Sequence, residues 1–276
     1  MGIITEAAPA KINLALHVRR RRTDGYHDIE TLFAFLIEGD VLIVEVAEHD
    51  SFAITGPFGA TLSGESTNLV TKARDAFIAA FGPIVPLAIT LDKRLPIASG
   101  IGGGSADAAA MLRVLARHRS VALDDPALLA CAKGLGADVP ACLIGRTAFG
   151  TGTGIDLIPL DDLTGTPVLL VNPGVAVSTA EVFRAWDGVD RGALGANDPF
   201  AREGRNDLEP AARSIAPEID DALRALAEAP GVTLSRMSGS GATCFALFES
   251  ERARSAAARA IRAHQPDWWL LESVLA

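Results

Sequence analysis

Apolar residues recur along the chain at two spacings, and each spacing predicts a different kind of element. Leu69 to Phe81 and Ala106 to Ala116 carry apolar residues three and four positions apart, which predicts two helices. Val41 to Val46 and Leu87 to Leu91 are short alternating or β-branched runs, which predict two strands. Strands and helices therefore interleave in the first half of the chain.

The second half of the chain has another order of elements. We predict strands at Val168 to Asn172 and Thr243 to Phe248, and helices around Thr179 to Trp186 and at Glu218 to Glu228. A last amphipathic helix at Glu251 to His264 is expected to pack on the surface. This order is typical of an α+β lobe.

A turn-rich segment separates the two halves. Gly145 to Gly154 reads GRTAFGTGTG, and Leu157 to Leu170 after it has the pattern of strand, turn and strand. A chain of 276 residues is long enough for two domains. We therefore expect an N-terminal lobe at 1–155 and a C-terminal lobe at 156–276.

Composition and charge narrow the function classes. A net charge of −9 argues against a nucleic-acid partner, because the phosphate backbone attracts basic surfaces. The one basic run, Arg19 to Arg22, is expected to be a solvated turn rather than a phosphate patch. Three widely spaced cysteines indicate a reducing cytoplasm. Because we see no leader sequence and no long apolar run, we expect no membrane partner. We expect a monomer or a weak homodimer.

The densest group of glycines follows the second predicted strand. Leu95 to Ala106 reads LPIASGIGGGSA, in which Ser105 has the residue type and place of a helix N-cap. Because the free amides of a helix N-terminus bind anions, the segment predicts a polyphosphate site. The Walker A, dinucleotide and nucleophile-elbow motifs fail at Ser105, Ala106 or Asp107. A plain connecting turn is the alternative.

Two further segments carry candidate chemistry. Lys11 and Asn13 lie two residues apart on a predicted short strand and therefore share a face. Asp138 stands in LGADVP, between a glycine and a proline. A lysine on an apolar strand is also typical of an exposed edge, and an aspartate at that place is also typical of a turn or a helix cap. The residues alone leave these alternatives open.

Taken together, these segments resemble the motifs of the GHMP kinases. Pro96, Gly100, Ile101 and Ser105 match the family's phosphate-loop motif, although alanine or serine replaces the usual residue at three neighbouring positions. PAKINL, LGADVP and the SGSGAT segment at Ser238 to Thr243 match other family motifs. The resemblance implies an α+β, two-lobed fold, with an N-terminal lobe of the ribosomal-protein-S5-like α/β type and a ferredoxin-like α+β C-terminal lobe.

The resemblance also implies an ATP-dependent kinase. Asp138 would accept the proton of the reacting hydroxyl beside Lys11, and Mg²⁺ would neutralise the β- and γ-phosphates, with no metal ligand assigned. Gly239 and Gly241 would mainly support the conformation of the phosphate loop, and contact with a ligand would be their second role. The ATP-binding residues that it implies are Pro96, Ile97, Ala98, Ser99, Gly100, Ile101, Gly102, Gly103, Gly104, Ser105 and Ala106.

On the acceptor side, DGYH and the following TLF resemble the branch of the family whose substrate carries cytidine diphosphate, in the non-mevalonate isoprenoid pathway. Tyr26, His27 and Phe33 would bind the cytosine ring, with Phe183 as a second wall and Asn13 as a further substrate-binding residue. The alternatives are mevalonate, homoserine or a sugar as the acceptor alcohol, or a non-catalytic nucleotide-binding module.

Overall fold

The computed structural model describes residues 2–62, 68–160, 163–195 and 203–276. Strands and helices both occur throughout this part of the chain, as the mixed periodicity predicts. The strands are β1 (Ile4–Arg21), β2 (His27–Val46), β3 (Ser51–Thr55), β4 (Leu87–Asp92), β5 (Ala148–Thr151), β6 (Asp156–Pro159), β7 (Pro167–Asn172), β8 (Val232–Met237), β9 (Cys244–Phe248) and β10 (Trp269–Val274). The α-helices are α1 (Leu69–Phe81), α2 (Gly103–Arg119), α3 (Pro126–Leu135), α4 (Val139–Ile144), α5 (Thr179–Ala185), α6 (Glu209–Ile215), α7 (Glu218–Ala227) and α8 (Glu251–His264), and a 3₁₀ helix lies at Gly59–Leu62.

The described residues fall into two compact units, and neither unit is continuous in sequence. The first unit contains the described residues of Met1–Ala10, Glu38–Ile97 and Gly102–Gly145. The second unit contains the described residues of Lys11–Ile37, Ala98–Ile101 and Arg146–Ala276. The chain thus passes between the units several times, and the last passage follows residue 145. A single cut after residue 155 does not reproduce these units, and the predicted lobe boundary stays a prediction.

In the first unit, strands of mixed direction accompany four helices. Val41–Val46 of β2 pairs antiparallel with β4, and β4 pairs parallel with β3. Helices α1, α3 and α4 all pack against α2. From Ala106 to Ala116 nearly every side chain of α2 is buried, and its many alanines let the neighbouring helices approach closely. This burial holds the helix that follows the glycine-rich segment in one place.

In the second unit, β7 to β10 form an antiparallel sheet in the order β10-β7-β9-β8. Helices α5 to α7 connect the first two of these strands, and α8 connects the last two. This β-α-β-β-α-β order, with the fourth strand beside the first, is the ferredoxin-like arrangement. Alternate residues of β7 and β9, such as Leu169 and Phe248, form a core with Ile219 and Leu226 of α7. The predicted ferredoxin-like C-terminal architecture is confirmed.

The strand around Lys11 is much longer than the predicted short strand. β1 has 18 residues, and its side chains are buried without a break from Ala10 to Val18. A strand that is covered on both faces has no alternation of apolar and polar residues. The period of two that reveals a half-exposed strand is therefore missing from this stretch of sequence.

The turn-rich segment Gly145 to Gly154 also contains a strand. Its central part is β5, which pairs antiparallel with Thr31 to Phe33 of β2 and with β6. A Cβ at Gly150 would lie 2.8 Å from the ring of Phe33, so glycine makes room for the phenyl group. A glycine inside a strand marks such a close approach, whereas the sequence alone favours a turn.

Gly39→Ala should destabilise the protein by about 1–3 kcal/mol or more, because an added Cβ would lie 2.0 Å from the Ala8 carbonyl oxygen. Gly134→Ala is the matched control. Gly134 is exposed on α3 with no heavy atom within 4 Å of an added Cβ, and alanine there should stabilise by about 0.5–1 kcal/mol. Urea unfolding of both variants checks this, and equal free energies of unfolding would contradict it.

Candidate active site

The glycine-rich segment forms the connection from β4 to α2, and the helix begins before the predicted position. α2 starts at Gly103, and Gly102 is its N-cap in the left-handed conformation, with φ 67°. Ser105 lies inside the first turn, so the predicted N-cap at Ser105 is wrong. Glycine takes this backbone conformation without the steric penalty that serine would meet.

The start of α2 presents amides that the helix itself does not use. The first internal hydrogen bond runs from the Ala106 amide to the Gly102 carbonyl at 2.8 Å. The amides of Gly103, Gly104 and Ser105 therefore have no partner within the helix. The first turn also carries no acidic side chain. This helix terminus is suited to bind an anion such as a phosphate group.

Gly100 is required by a close approach of two backbone segments in the second unit. Its φ is 76°, and a Cβ there would lie 2.5 Å from the Ser238 carbonyl oxygen and 2.8 Å from that of Gly241. The Ser238 hydroxyl donates to the Gly100 carbonyl at 3.0 Å, and the Thr243 amide donates to the Ser99 carbonyl at 3.2 Å. The middle of the glycine-rich segment is thus held by the SGSGAT turn.

The SGSGAT turn is in turn fixed by Asn206. The Asn206 side-chain amide donates to the carbonyls of Met237 and Gly239, at 2.8 Å each. Gly239 and Gly241 have φ of 55° and 85°, and a Cβ at Gly239 would lie 2.8 Å from the Gly100 carbonyl oxygen. The geometry supports the expectation that these two glycines act on the loop.

Lys11 lies on β1 beside the glycine-rich segment. Its amide donates to the Ile101 carbonyl at 2.9 Å, and its side chain is only 3% exposed. The Lys11 Nζ atom donates to Asn13 Oδ1 at 2.9 Å and lies 5.4 Å from the centre of the Phe33 ring. The exposed-edge alternative for Lys11 is therefore wrong, and Lys11 and Asn13 do share a face.

A directional chain of hydrogen bonds orients Asn13. Its side-chain NH₂ donates to Thr31 Oγ1 at 2.8 Å, and the Thr31 hydroxyl donates to the Ala15 carbonyl at 2.7 Å. The Asn13 backbone amide donates to the Ser238 hydroxyl at 3.2 Å. Because the carbonyl of Ala15 can only accept, the hydroxyl of Thr31 must accept from Asn13. The Asn13 oxygen is then left to face Lys11.

Sequence reasoning did not single out Thr31, and it placed Ser238 and Asn206 in family-like segments without giving either side chain a role. Thr31 is a polar residue in the otherwise apolar segment TLFAFL, and it is fully buried. Such a residue needs a hydrogen-bond partner, which is the signal that could have singled it out. Ser238 lies 225 positions from Asn13 in sequence, and no local pattern predicts that contact.

Asp138 lies in the first unit at the N-cap position of α4. Its φ is −84° and its ψ is −15°, and its side chain makes no capping hydrogen bond to the helix. The residue is half-buried. The alternative in which Asp138 serves as a side-chain cap therefore does not account for it.

The predicted cytosine-binding residues occupy different environments in the second unit. The ring centres of His27 and Phe183 are 4.9 Å apart, and Trp186 meets His27 edge-on at 5.7 Å. Tyr26 is 63% exposed, whereas Phe33 is fully buried in β2 beside Lys11. Trp186 was missed in the sequence, where it appears only as the end of a predicted helix. Their assignment to a cytosine ring stays a prediction.

His27 is held in its neutral form. Burial lowers the pKa of its imidazole, and the nearby positive charge of Arg21 lowers it further. The Arg21 Nε–H donates to His27 Nε2 at 3.3 Å, so the neutral ring carries its proton on Nδ1. A neutral imidazole with an N–H group at one edge can donate a hydrogen bond to a base.

The basic run at the end of β1 is paired with carboxylates. Arg20 forms an ion pair with Asp28 at 2.5 Å, and Arg22 pairs with Asp24 and Asp28 at 3.0 Å. Arg19 pairs with Glu30 at 3.1 Å. These pairs cancel most of the positive charge that a nucleic-acid backbone would need.

No group of three or more histidine, cysteine or acidic residues that could hold a metal ion occurs within residues 2–62, 68–160, 163–195 and 203–276. In those same ranges no helix has both the length and the apolar character to cross a membrane.

Comparison with known proteins gives two matches to one family. The family model of the GHMP kinases N terminal domain matches residues 68–146. The family model of the GHMP kinases C terminal domain matches residues 190–267. The first match contains the start of α2 and Asp138, and the second contains Asn206 and the SGSGAT turn. The two matches therefore include the segments that build the loop.

Individual relatives are similar over almost their whole length. The 4-diphosphocytidyl-2-C-methyl-D-erythritol kinase of Rhizorhabdus wittichii is 54% identical, covering 98% of this chain and 94% of the relative. The kinase of the same name from Novosphingobium aromaticivorans is 50% identical, covering 99% and 93%. A crystal structure of a 4-(cytidine 5′-diphospho)-2C-methyl-D-erythritol kinase superimposes with a TM-score of 0.81 at 35% identity, covering 99% of both chains. The chain therefore belongs to the GHMP kinase family, in the group of the 4-diphosphocytidyl-2-C-methyl-D-erythritol kinases.

Proposed function

We propose that this enzyme transfers the γ-phosphoryl group of ATP to the 2-hydroxyl of 4-diphosphocytidyl-2-C-methyl-D-erythritol, in the non-mevalonate route to isoprenoid precursors. The observation that carries the proposal is the position of Lys11. Its backbone is hydrogen-bonded to Ile101 of the glycine-rich segment, and its buried ammonium group is oriented by Asn13. A fixed cation therefore lies beside the loop that would hold the phosphates.

Phosphoryl transfer passes through a loose transition state, so placing the reactants and stabilising charge provide most of the rate. The amides at the start of α2 bind phosphate oxygens, and the Lys11 ammonium group faces the negative charge of the transferring group. Asp138, in the LGADVP segment that resembles the family's motif, accepts the proton of the attacking hydroxyl. The enzyme needs no covalent intermediate for this reaction.

Mg²⁺ would enter this site together with the nucleotide. Within the described ranges the protein offers no cluster of three ligands, and Mg²⁺ is commonly held by substrate phosphates, water and one or two carboxylates. When bound, the ion neutralises charge on the β- and γ-phosphates. The residues of this chain then supply the amides, the ammonium group and the proton acceptor.

The acceptor substrate would bind through its cytosine ring in the second unit. Tyr26 offers an exposed aromatic face, and Phe183 packs beside His27. Stacking on such residues is worth about 1–3 kcal/mol per base. His27 donates from Nδ1 to a ring acceptor of cytosine, while Asn13 contacts the alcohol portion beside Lys11. Phe33, being fully buried, contributes by supporting Lys11 and the strand.

The cysteines and the basic run bear on the compartment and the partners of the enzyme. Cys131, Cys142 and Cys244 are reduced cysteines outside any disulfide, which fits a reducing cytoplasm. The paired arginines at the end of β1 support a small-molecule substrate without a nucleic-acid partner. We expect the enzyme to work as a monomer or a weak homodimer.

Asp138→Asn should lower kcat by about 10²- to 10⁴-fold, because the amide cannot accept the proton. Binding of an ATP analogue and of the cytidine substrate, measured by calorimetry, should stay near normal. Asp124→Asn, at an exposed position in the same unit, is the control and should keep full activity. Near-normal turnover of Asp138→Asn would remove this residue from the mechanism. Turnover with mevalonate, homoserine or a sugar, but not with the cytidine substrate, would overturn the proposed substrate.

Thr31→Val should lower kcat about tenfold with little change in either KM, because Asn13 loses the acceptor that orients it toward Lys11. Thr31→Ser keeps the hydroxyl and should keep most of the activity. Steady-state kinetics with both substrates and thermal unfolding of each variant check this. Equal kcat values for the two variants would show that the hydroxyl has no role.

A further inference from the structure

A buried group of three charged side chains lies at the start of α2. We call Asp40, Lys93 and Asp107 the buried ion triad. The Lys93 ammonium group donates to Asp40 Oδ2 at 2.5 Å and to Asp107 Oδ2 at 2.7 Å. The three residues are 0%, 3% and 2% exposed. All three belong to the first unit, and neither the phosphate-loop motif nor the proposed mechanism uses them.

The triad is connected to the chain on both sides of the glycine-rich segment. Before the segment, Asp40 Oδ1 accepts the backbone amides of Arg94 at 2.6 Å and Leu95 at 2.8 Å. After the segment, Asp107 lies on α2 and accepts from Lys93. The residues from 96 to 106 therefore run between two points that one lysine holds together.

The triad also explains a glycine that the phosphate site leaves unexplained. Gly103 does not have a positive φ, so its conformation is open to other residues. A Cβ there would lie 3.0 Å from Lys93 Nζ and 3.5 Å from Asp40 Oδ2. Glycine at this position lets the first turn of α2 rest directly on the ammonium group. The triad therefore touches the turn whose amides would bind phosphate.

The charges of the triad do not balance when all three groups are ionised. Burial raises the pKa of Asp107 to about 7; attraction to Lys93 opposes this rise, and repulsion from Asp40 adds to it. Asp107 Oδ1 is buried and has no hydrogen-bond partner among the described residues. Below that pH the protonated triad is neutral, and above it the triad carries one negative charge close to the start of α2.

We propose that Asp40, Lys93 and Asp107 are positioning residues that hold the two ends of the glycine-rich segment in the shape that binds ATP phosphates. This inference rests on the proposed function of that segment. The charged groups that face Asp107 are Lys93, after β4, and Asp40, on β2. Ionisation of Asp107 would place a negative charge close to the first turn of α2 and oppose the binding of phosphates there.

The first test is Lys93→Met, which removes the link between the two ends. The KM for ATP should rise tenfold or more, while the KM for the cytidine substrate stays within twofold. Lys133→Met, an exposed lysine on α3, is the matched control and should behave as wild type. A folded Lys93→Met enzyme with an unchanged KM for ATP would overturn the proposal.

The second test, Asp107→Asn, keeps an acceptor for Lys93 and removes only the charge of Asp107, so it can be made even where Lys93→Met does not fold. ATP itself titrates near neutral pH, so the measured quantity is the ratio of the wild-type KM for ATP to that of the variant. The ratio should rise severalfold between pH 6 and pH 8.5, as Asp107 ionises only in the wild type. A ratio that is constant with pH would overturn the part of the proposal in which the charge of Asp107 acts on the bound phosphates.

Calorimetry of wild type with a non-hydrolysable ATP analogue separates this inference from the proposed function. Binding by the wild type together with unaltered variants would contradict only the role of the triad. No binding by the wild type would contradict the ATP site itself, and the proposal would fail with it.

Discussion

The contact between Gly100 and the SGSGAT turn is the constraint on which the candidate site depends. The two backbones approach so closely that no Cβ fits at Gly100, where its nearest neighbour would be 2.5 Å away. Hydrogen bonds from Ser238 and Thr243 fix the carbonyls of Gly100 and Ser99. A loop rich in glycine would otherwise lose much conformational entropy when it binds a ligand. Here the fold has already ordered it.

The same contact also positions the side chains that would take part in the reaction. The next residue, Ile101, accepts the amide of Lys11, so the strand that carries the lysine follows the path of the loop. Asn13 and Thr31 then orient the ammonium group through bonds whose direction the Ala15 carbonyl sets. A preorganised charge of this kind needs no rearrangement during the reaction, which makes it effective in phosphoryl transfer. The site is built from backbone contacts first and from charged groups second.

Local patterns were sufficient for much of the fold. Helices α1 and α8 begin and end at the predicted residues, because each has a clear apolar face and a capping Asn68 or Ser250 at its start. The ferredoxin-like order also follows from the succession of strands and helices. The length of β1 and the strand β5 were missed, because burial on both faces and a tightly packed glycine remove the usual signals.

The site could be predicted in part for a similar reason. The glycine-rich segment and the Lys11–Asn13 pair are local in sequence, and their chemistry can be inferred from residue type and spacing. The partners that hold them are distant: Ser238 from Asn13, and Asp40 from Lys93. Single-sequence reasoning has no access to such contacts, so it assigned the whole glycine cluster to phosphate. The structure shows that Gly100 and Gly103 are also required by close contacts with neighbouring groups of the protein.

The most direct test of the account is hydrogen–deuterium exchange of the full chain, with and without a non-hydrolysable ATP analogue and Mg²⁺. If the start of α2 binds the phosphates, the nucleotide should slow exchange of the amides from Ile97 to Ala106 more than exchange in the other described segments of the chain. Binding of the nucleotide, established by calorimetry, with unchanged exchange in this segment would contradict the central claim that these amides hold ATP.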